Sequence, residues 1–441
     1  MNQKNLINPR INLRKFVSGE EGALTTLGLF LFLTILVFGG ISVDVANAYK
    51  SRTELQVAAD AAAHAAIYTR ELGTIEEARS KAIEVVEETL LTEYFGETLR
   101  PEDIQFGSWD RDAEVFTIDN DLKDAVMVNT ARLASRGNSV PSFLLSLIGI
   151  DEWNVKTGAV YETYIPACLR EGFVAESVVD MQSNNNFTNG FCVHSNAHVE
   201  LNSNNAFGDT TIVSMPDKSQ IVIPNNGWES NDGLAEALRD NYYTLRIVTR
   251  LPDIIQALYD GDPNYIPDYI TGSANLTLSA TKVDATDFTP GRVHTKSCGG
   301  GNTLTISGDT VLTNVVLVTN CKIKFGSNVT LENVIIATTN TDIKSVSTAA
   351  GLQIGRDDSC AADGGSQILT LGGFSAPANL RAYGGQIIAV KDITFAANAN
   401  GIEGASFISG GKIDGTSNTT MGFCGSGYER NFEAQYFHLR Y

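Results

Sequence analysis

The sequence predicts an α+β module at the N-terminal end, a long transmembrane helix with an antiparallel sheet, followed by an all-β parallel β-helix interrupted by a helical insertion. Three observations carry this reading: an uncharged apolar run near the start, four short alternating segments behind it, and a repeat of 19 to 20 residues over the larger half of the chain.

The apolar run is Ala23–Val43, "ALTTLGLFLFLTILVFGGISV". As a helix it would be about 31 Å long, enough to cross a bilayer core. Lys4, Arg10, Arg14 and Lys15 precede it, whereas its far flank is mixed (Asp44, Lys50, Arg52, Glu54). That bias makes residues 1–22 a cytoplasmic leader, 23–43 a transmembrane helix, and everything beyond an exported part. The tripeptide "ANA" at Ala46–Ala48 has the form of a secretory cleavage site. The apolar run is longer than a signal sequence requires and Asp44 sits in the cleavage region, so a retained anchor is expected.

Beyond the span, "DVANAYKSRTELQVAADAAAHAAIYTREL" contains neither Pro nor Gly and consists almost wholly of helix formers, so the membrane helix should continue unbroken. Ala58, Ala59, Ala61, Ala62, Ala65 and Ala66 give it a smooth face suited to close approach by another helix. Gly73 interrupts the pattern, and "TIEE" at Thr74–Glu77 has capping-box spacing for a second helix, with Ala78, Ala82, Val85, Val86 and Leu90 on one face. After Gly96 come "DIQFGSW", "AEVFTI", "KDAVMVNTARL" and, past a turn at "SVPSFLLSLIGID", "WNVKTGAVYETY". Their alternation reads as about four antiparallel strands with one buried face. This module is expected to occupy 44–166 and the β-helix domain 167–441.

"VVDMQSNNNF" (Val178–Phe187) aligns with "HVELNSNNAF" (His198–Phe207) at a shift of 20, which superposes Val179 on Val199 and Cys192 on Ile212. "TLTISGDTVLTNVVLVTN" (Thr303–Asn320) aligns with "KIKFGSNVTLENVIIATT" (Lys322–Thr339) at a shift of 19, pairing Ile306 with Phe325 and Asn314 with Asn333. Short apolar strands punctuated by Asn and Gly are what stacked coils require, each coil burying its side chains against the next. The asparagines belong at turns, where they tolerate left-handed backbone and their amides bond from coil to coil. Residues 231–270 lack the Asn/Gly texture and have helical spacing, which makes them the insertion.

Six cysteines, Cys168, Cys192, Cys298, Cys321, Cys360 and Cys424, all lie on the exported side, as disulfides in an oxidising compartment would. Sequence neighbours suggest 168 with 192, 298 with 321, and 360 with 424, among fifteen possible connectivities. The net charge of −19, from 32 basic and 51 acidic residues, excludes a basic nucleic-acid footprint. No cofactor is expected. Catalytic or metal chemistry finds few candidates: Asp357, Asp358 and Asp363 in "RDDSCAADGG", and His194 with His198 in "HSNAH". The first lacks the glycine-rich calcium repeat, and the second is broken by a coil turn. No nucleophile elbow, phosphate loop, H-E-x-x-H or C-x-x-C is present.

The stretch "GEEGALTTLGLFLFLTILVFGGISVDVANAYKSRTELQVAADAAAHAA" resembles the N-terminal module of TadE/TadG-like proteins of the Flp (tight adherence, type IVb-like) pilus assembly system. The family pattern falls on Glu21, Gly22, Asp44, Arg52, Leu55, Gln56, Ala59 and Asp60. The resemblance implies a pilin-like module in the bacterial inner membrane, with the bulk periplasmic or extracellular. Its implied partners are other pilin-like or pilus assembly subunits, met through the N-terminal helix. Counting from Gly19 puts Leu24, not Glu, at the fifth mature position, so processing by a prepilin peptidase is not implied. Neither "DKSQI" nor "DDSCA" completes the metal motif of a von Willebrand A domain found in larger relatives. The expected function is a non-enzymatic, minor-pilin-like component that assists assembly or displays an adhesive β-helix toward a surface glycan or protein. The alternative is a surface-anchored polysaccharide-degrading enzyme.

Overall fold

The computed structural model describes residues 21–440 except 189, 300, 301 and 426–429, together with all their side chains but that of Glu21. Residues 1–20 of the expected leader, 1–22, lie outside the described residues, as does the side chain of the family position Glu21. The chain forms two compact units, one of residues 21–164 with 435–440, the other Ile165–Ala434.

In the first unit helix α1 runs without a break over Glu21–Arg70, 50 residues, or about 75 Å. Its two halves differ in what surrounds them. From Leu24 to Val43 nearly all the large apolar side chains are exposed, while from Leu55 onward Ala58, Ala59, Ala62, Ala63, Ala66 and Ile67 are completely or almost completely buried. The small residues let helix α2, Ile75–Thr89, lie close against them through Ala78, Ala82 and Val86. The expected capping box starts α2: Glu77 N–H donates to Thr74 Oγ1 at 3.2 Å, and Thr74 N–H donates to Glu77 Oε2 at 2.7 Å.

Behind the helices lie strands β1 (Ile104–Asp110), β2 (Val115–Ile118), β3 (Ala125–Arg132), the short pair β4 (Val140–Pro141) and β5 (Glu152–Trp153), and β6 (Val155–Tyr164). β1, β2, β3 and β6 pair antiparallel in the order β2-β1-β3-β6, and a fifth strand, Tyr436–Leu439, adds to β6 with Tyr436 opposite Tyr164. This corrects the expected boundary, because the last strand belongs to the first unit. Four residues of weak alternation were too short to read as a strand, and their partner lies over 270 residues back.

Among the described residues, the second unit is built on one large parallel sheet of 24 strands. Its pairing follows the repeat: Val179 faces Val199 and Cys192 faces Ile212 at a step of 20, while Ile306 faces Phe325 and Val315 faces Val334 at a step of 19. The order of its rows departs from chain order. Ser406–Ser409 pairs with Gly172–Ala175, so the first row of the sequence sits on the last. From there rows climb one way through Cys192–Ser195 and Ile212–Met215 to Leu238–Asp240, and the other way back to Leu276–Thr277. Rows about 4.8 Å apart put these two ends nearly 50 Å from each other. The segment between them therefore has to travel the length of the sheet. Helix α3, Arg246–Asp260, covers about 22 Å of that distance and packs on rows 311–319, 366–370 and 385–389. The helical insertion is thus narrower than 231–270, since Leu238–Asp240 continues a row as a strand.

Equivalent side chains of successive rows fill the core. Phe187 stacks on Phe207 at 4.8 Å between ring centroids, and Phe173 on Phe407 at 5.1 Å across the junction of first and last rows.

Candidate functional site

The family positions converge on the seat of α1. Asp44 is fully buried, and its carboxylate accepts three backbone N–H bonds, from Phe143 (2.8 Å), Leu144 (3.0 Å) and Leu145 (2.7 Å). These donors open a 3₁₀ turn at Leu145–Ile148, whose first N–H groups have no partner within the turn. Burial pulls this carboxyl up and the three donors pull it down further, leaving it below the ordinary aspartate range. Asp44 is therefore a cap for a distant loop.

One turn earlier, Gly40 is buried, and a Cβ there would meet Leu144 Cβ at 2.9 Å. One turn later, Asn47 donates to the Pro141 carbonyl at 3.4 Å. Gly40, Asp44 and Asn47 are spaced to share one face, and that face carries the β4–β5 loop.

Further up, Thr130 Oγ1 donates to the Leu55 carbonyl at 2.9 Å. Gln56 Nε2 donates to Asp60 Oδ1 at 2.8 Å and to the Gly158 carbonyl at 2.9 Å, so two family positions together fasten the helix to β6. Leu55 and Ala59 are buried in the core under the sheet. Arg132 adds a bond to Ser51 Oγ at 3.4 Å while its Nε and Nη2 donate to the Asn138 and Ser139 carbonyls. Gly22 lies in the first turn of the helix, where its carbonyl accepts from Thr25 and Thr26. Arg52 is different: it stays exposed and, with Tyr49 and Trp153, lines a groove of about 240 Å³.

Most of the alanine face is consequently occupied within the chain, with Ala61 and Ala65 half-buried at its margin. Ala58, Ala59, Ala62 and Ala66 meet α2 and the sheet, and the exposed side of this half presents Tyr49, Arg52 and Val57. Sequence reasoning missed the loop "SFLLSLIGI" (142–150), read there as a turn; its lack of any charge was the available signal.

In the second unit the cysteines pair 168–192, 298–321 and 360–424, with Cα separations of 5.0, 5.2 and 5.7 Å. Glu403 lies near Cys360 and Cys424, but sulfurs joined in a disulfide offer no thiolate to a metal. The acidic loop is pinned by Arg430, whose Nη2 lies 2.9 Å from Asp363 and 2.8 Å from Asp268, while Asp358 accepts from the Ala361 N–H. His194 and His198 each have their own partners. His194 is buried between Ser214 Oγ (2.7 Å) and Asn196 Oδ1 (2.9 Å), and His198 Nε2 meets Glu200 at 2.9 Å. Because Asn196 Oδ1 can only accept, His194 carries its proton on Nε2 and accepts from Ser214. Burial holds its pKa down at about 4 despite the Asn196 bond.

The asparagines form a ladder. Asn231 Oδ1 accepts from Asn205 N–H, Asn205 Oδ1 from Asn185 N–H, each at 2.9 Å, and Asn185 Oδ1 from Thr419 N–H at 3.2 Å. Beside it, Asn184 and Asn204 both take φ of 64°, and Asn314 and Asn333 both take 54°.

No curated protein and no solved structure matched the chain. Residues 22–79 match the family described as "Putative Flp pilus-assembly TadE/G-like", which covers α1 and the first turn of α2 as far as Ala78 and Arg79. Residues 172–425, more than half of the chain, match the family described as a domain of unknown function, DUF7867, and the chain belongs to that family.

Proposed function

We propose that this protein is a non-enzymatic, minor-pilin-like component of a Flp/Tad pilus assembly machine, held in the bacterial inner membrane by the lower half of α1. The observation that carries this reading is the TadE/G-like match over residues 22–79, which coincides with a helix apolar and exposed at one end and docked at the other. The leader charges favour a cytoplasmic N-terminus, and three disulfides favour an oxidising compartment for the second unit.

Because most of the alanine face is engaged within the chain, pilin-type partners would meet the opposite side of α1 at Tyr49, Arg52 and Val57. The parallel sheet, with steps of 19 and 20 and an asparagine ladder, supports reading the second unit as a β-helix. Its long lateral faces suit adhesion to a surface glycan or protein.

The test is deletion of the gene followed by electron microscopy of surface pili. Loss of pili, restored by the wild type and weakly by Arg52→Ala, is expected. Normal piliation of the deletion strain, together with cleavage of acidic polysaccharide by the purified exported part that is lost on changing Asp357 or Asp358, would replace this reading by the enzymatic one.

A further inference from the structure

The loop between β4 and β5 has the composition of a membrane-inserting element and the hydrogen bonding to survive as one. "SFLLSLIGI" carries no charge, and Phe143, Leu147, Ile148 and Ile150 are 60, 70, 56 and 42% exposed. Such a run exposed to water on a nine-residue loop is unfavourable by the area it leaves wet.

Most of its backbone N–H groups, in contrast, have an acceptor within the first unit. Asp44 accepts from residues 143, 144 and 145; Ser142 N–H donates to Asp151 O, Leu147 N–H to Leu144 O, Gly149 N–H to Ser146 O and Ile150 N–H to Leu145 O. Even the Ser146 hydroxyl donates inward, to the Phe143 carbonyl. Satisfied N–H donors beneath bare apolar side chains suit a lipid environment, since hydrocarbon offers no acceptors.

Position fixes the occupant. Leu144 packs on Gly40, inside the apolar run and only about 4.5 Å of helix rise before its end at Val43. The exposed side chains of the loop are thus continuous with the exposed apolar surface of the lower half of α1. Asp151 and Glu152, both exposed, mark where this surface stops.

We propose that residues 142–150 are a second membrane contact, inserting Phe143, Leu147, Ile148 and Ile150 into the leaflet from which α1 emerges. The loop would act with α1 as a two-point anchor that fixes the tilt and rotation of the first unit on the membrane. Asp44 serves this contact by capping the loop from within, so a buried carboxylate at the bilayer edge has a use.

This proposal rests on reading Ala23–Val43 as a membrane span, and the experiment separates the two. Full-length protein carrying a nitroxide at Leu147→Cys, Ile148→Cys, Ile35→Cys or Tyr94→Cys is reconstituted in phosphatidylcholine–phosphatidylglycerol vesicles. The six native cysteines are bridged and do not take the label. Collision rates with lipid-soluble oxygen and with a water-soluble nickel chelate are then compared. Positions 147 and 148 are expected to give an oxygen-to-nickel ratio several-fold above that of Tyr94, on the side of Ile35. A lipid value at Ile35 with a water value at 147 and 148 overturns the loop contact alone, as does low collision with both reagents, the mark of a covering protein. A water value at Ile35 overturns both readings.

Discussion

In the first unit each polar contact that fastens the fold is made once. Among the described residues, Asp44 caps the 142–150 loop, Thr130 ties β3 to the Leu55 carbonyl, and Gln56, bonded to Asp60, reaches β6. In the second unit the same kind of contact recurs row after row, Asn231 to Asn205 to Asn185 to Thr419. Single-copy contacts make the first unit's weak points few and severe. Repetition spreads the load, because each row depends mainly on its two neighbours and damage stays near its row.

Breaking the most demanding single-copy contact is expected to have the largest effect. Asp44→Ala leaves three backbone donors without an acceptor inside the protein. Limited proteolysis in lipid vesicles should then cut within 142–150 while residues 172–425 stay intact. Next comes pH, which acts on the second unit. His194 is buried and neutral when folded, so the unfolded chain takes up a proton first as pH falls below about 6.5, and stability declines until the folded form also protonates near 4. That interval corresponds to about 3 kcal/mol, full stability lying above it. Urea unfolding of the second unit between pH 7 and 4 should show this slope, and His194→Gln should flatten it.

A smaller loss is expected from Ala62→Leu, which overfills the contact of α1 with α2 and should cost about 2 kcal/mol. The same enlargement at exposed Val57, Val57→Leu, should stay within about 0.5 kcal/mol in thermal unfolding of the first unit. A smaller loss than that of Ala62→Leu is assigned to the ladder. Asn205→Ala should cost about 1 kcal/mol, with faster amide exchange confined to rows near Asn185 and Asn231.

The same contrast decides what could be read in advance. A repeated row writes its register into the sequence, so the partners Val179 with Val199 and Ile306 with Phe325 follow from alignment. Local chemistry was equally open, as the Thr74–Glu77 capping box shows. The order of the rows was not, because a repeat says which segments are alike and never which end row meets which; only the pairing of Phe173 with Phe407 reveals that. Nor did the family positions disclose their work. Asp44 and its partners Phe143, Leu144 and Leu145 are far apart in sequence, and an alanine stripe looks the same whether a second chain or the chain's own α2 covers it. The cysteine pairs were suggested by proximity along the chain, and the row spacing explains why two of them work: separations of 24 and 23 bring a cysteine about one row onward.

The central claim is that one uninterrupted helix is both membrane anchor and docked stalk, with Asp44 at the changeover. Amide hydrogen exchange along residues 24–66 of the full-length protein in lipid nanodiscs tests it most directly. Continuous slow exchange from the apolar half through Asp44 into the alanine half is the expected result. A fast-exchanging break between Val43 and Leu55 would contradict it, because the anchor and the stalk would then be separate helices joined by a hinge.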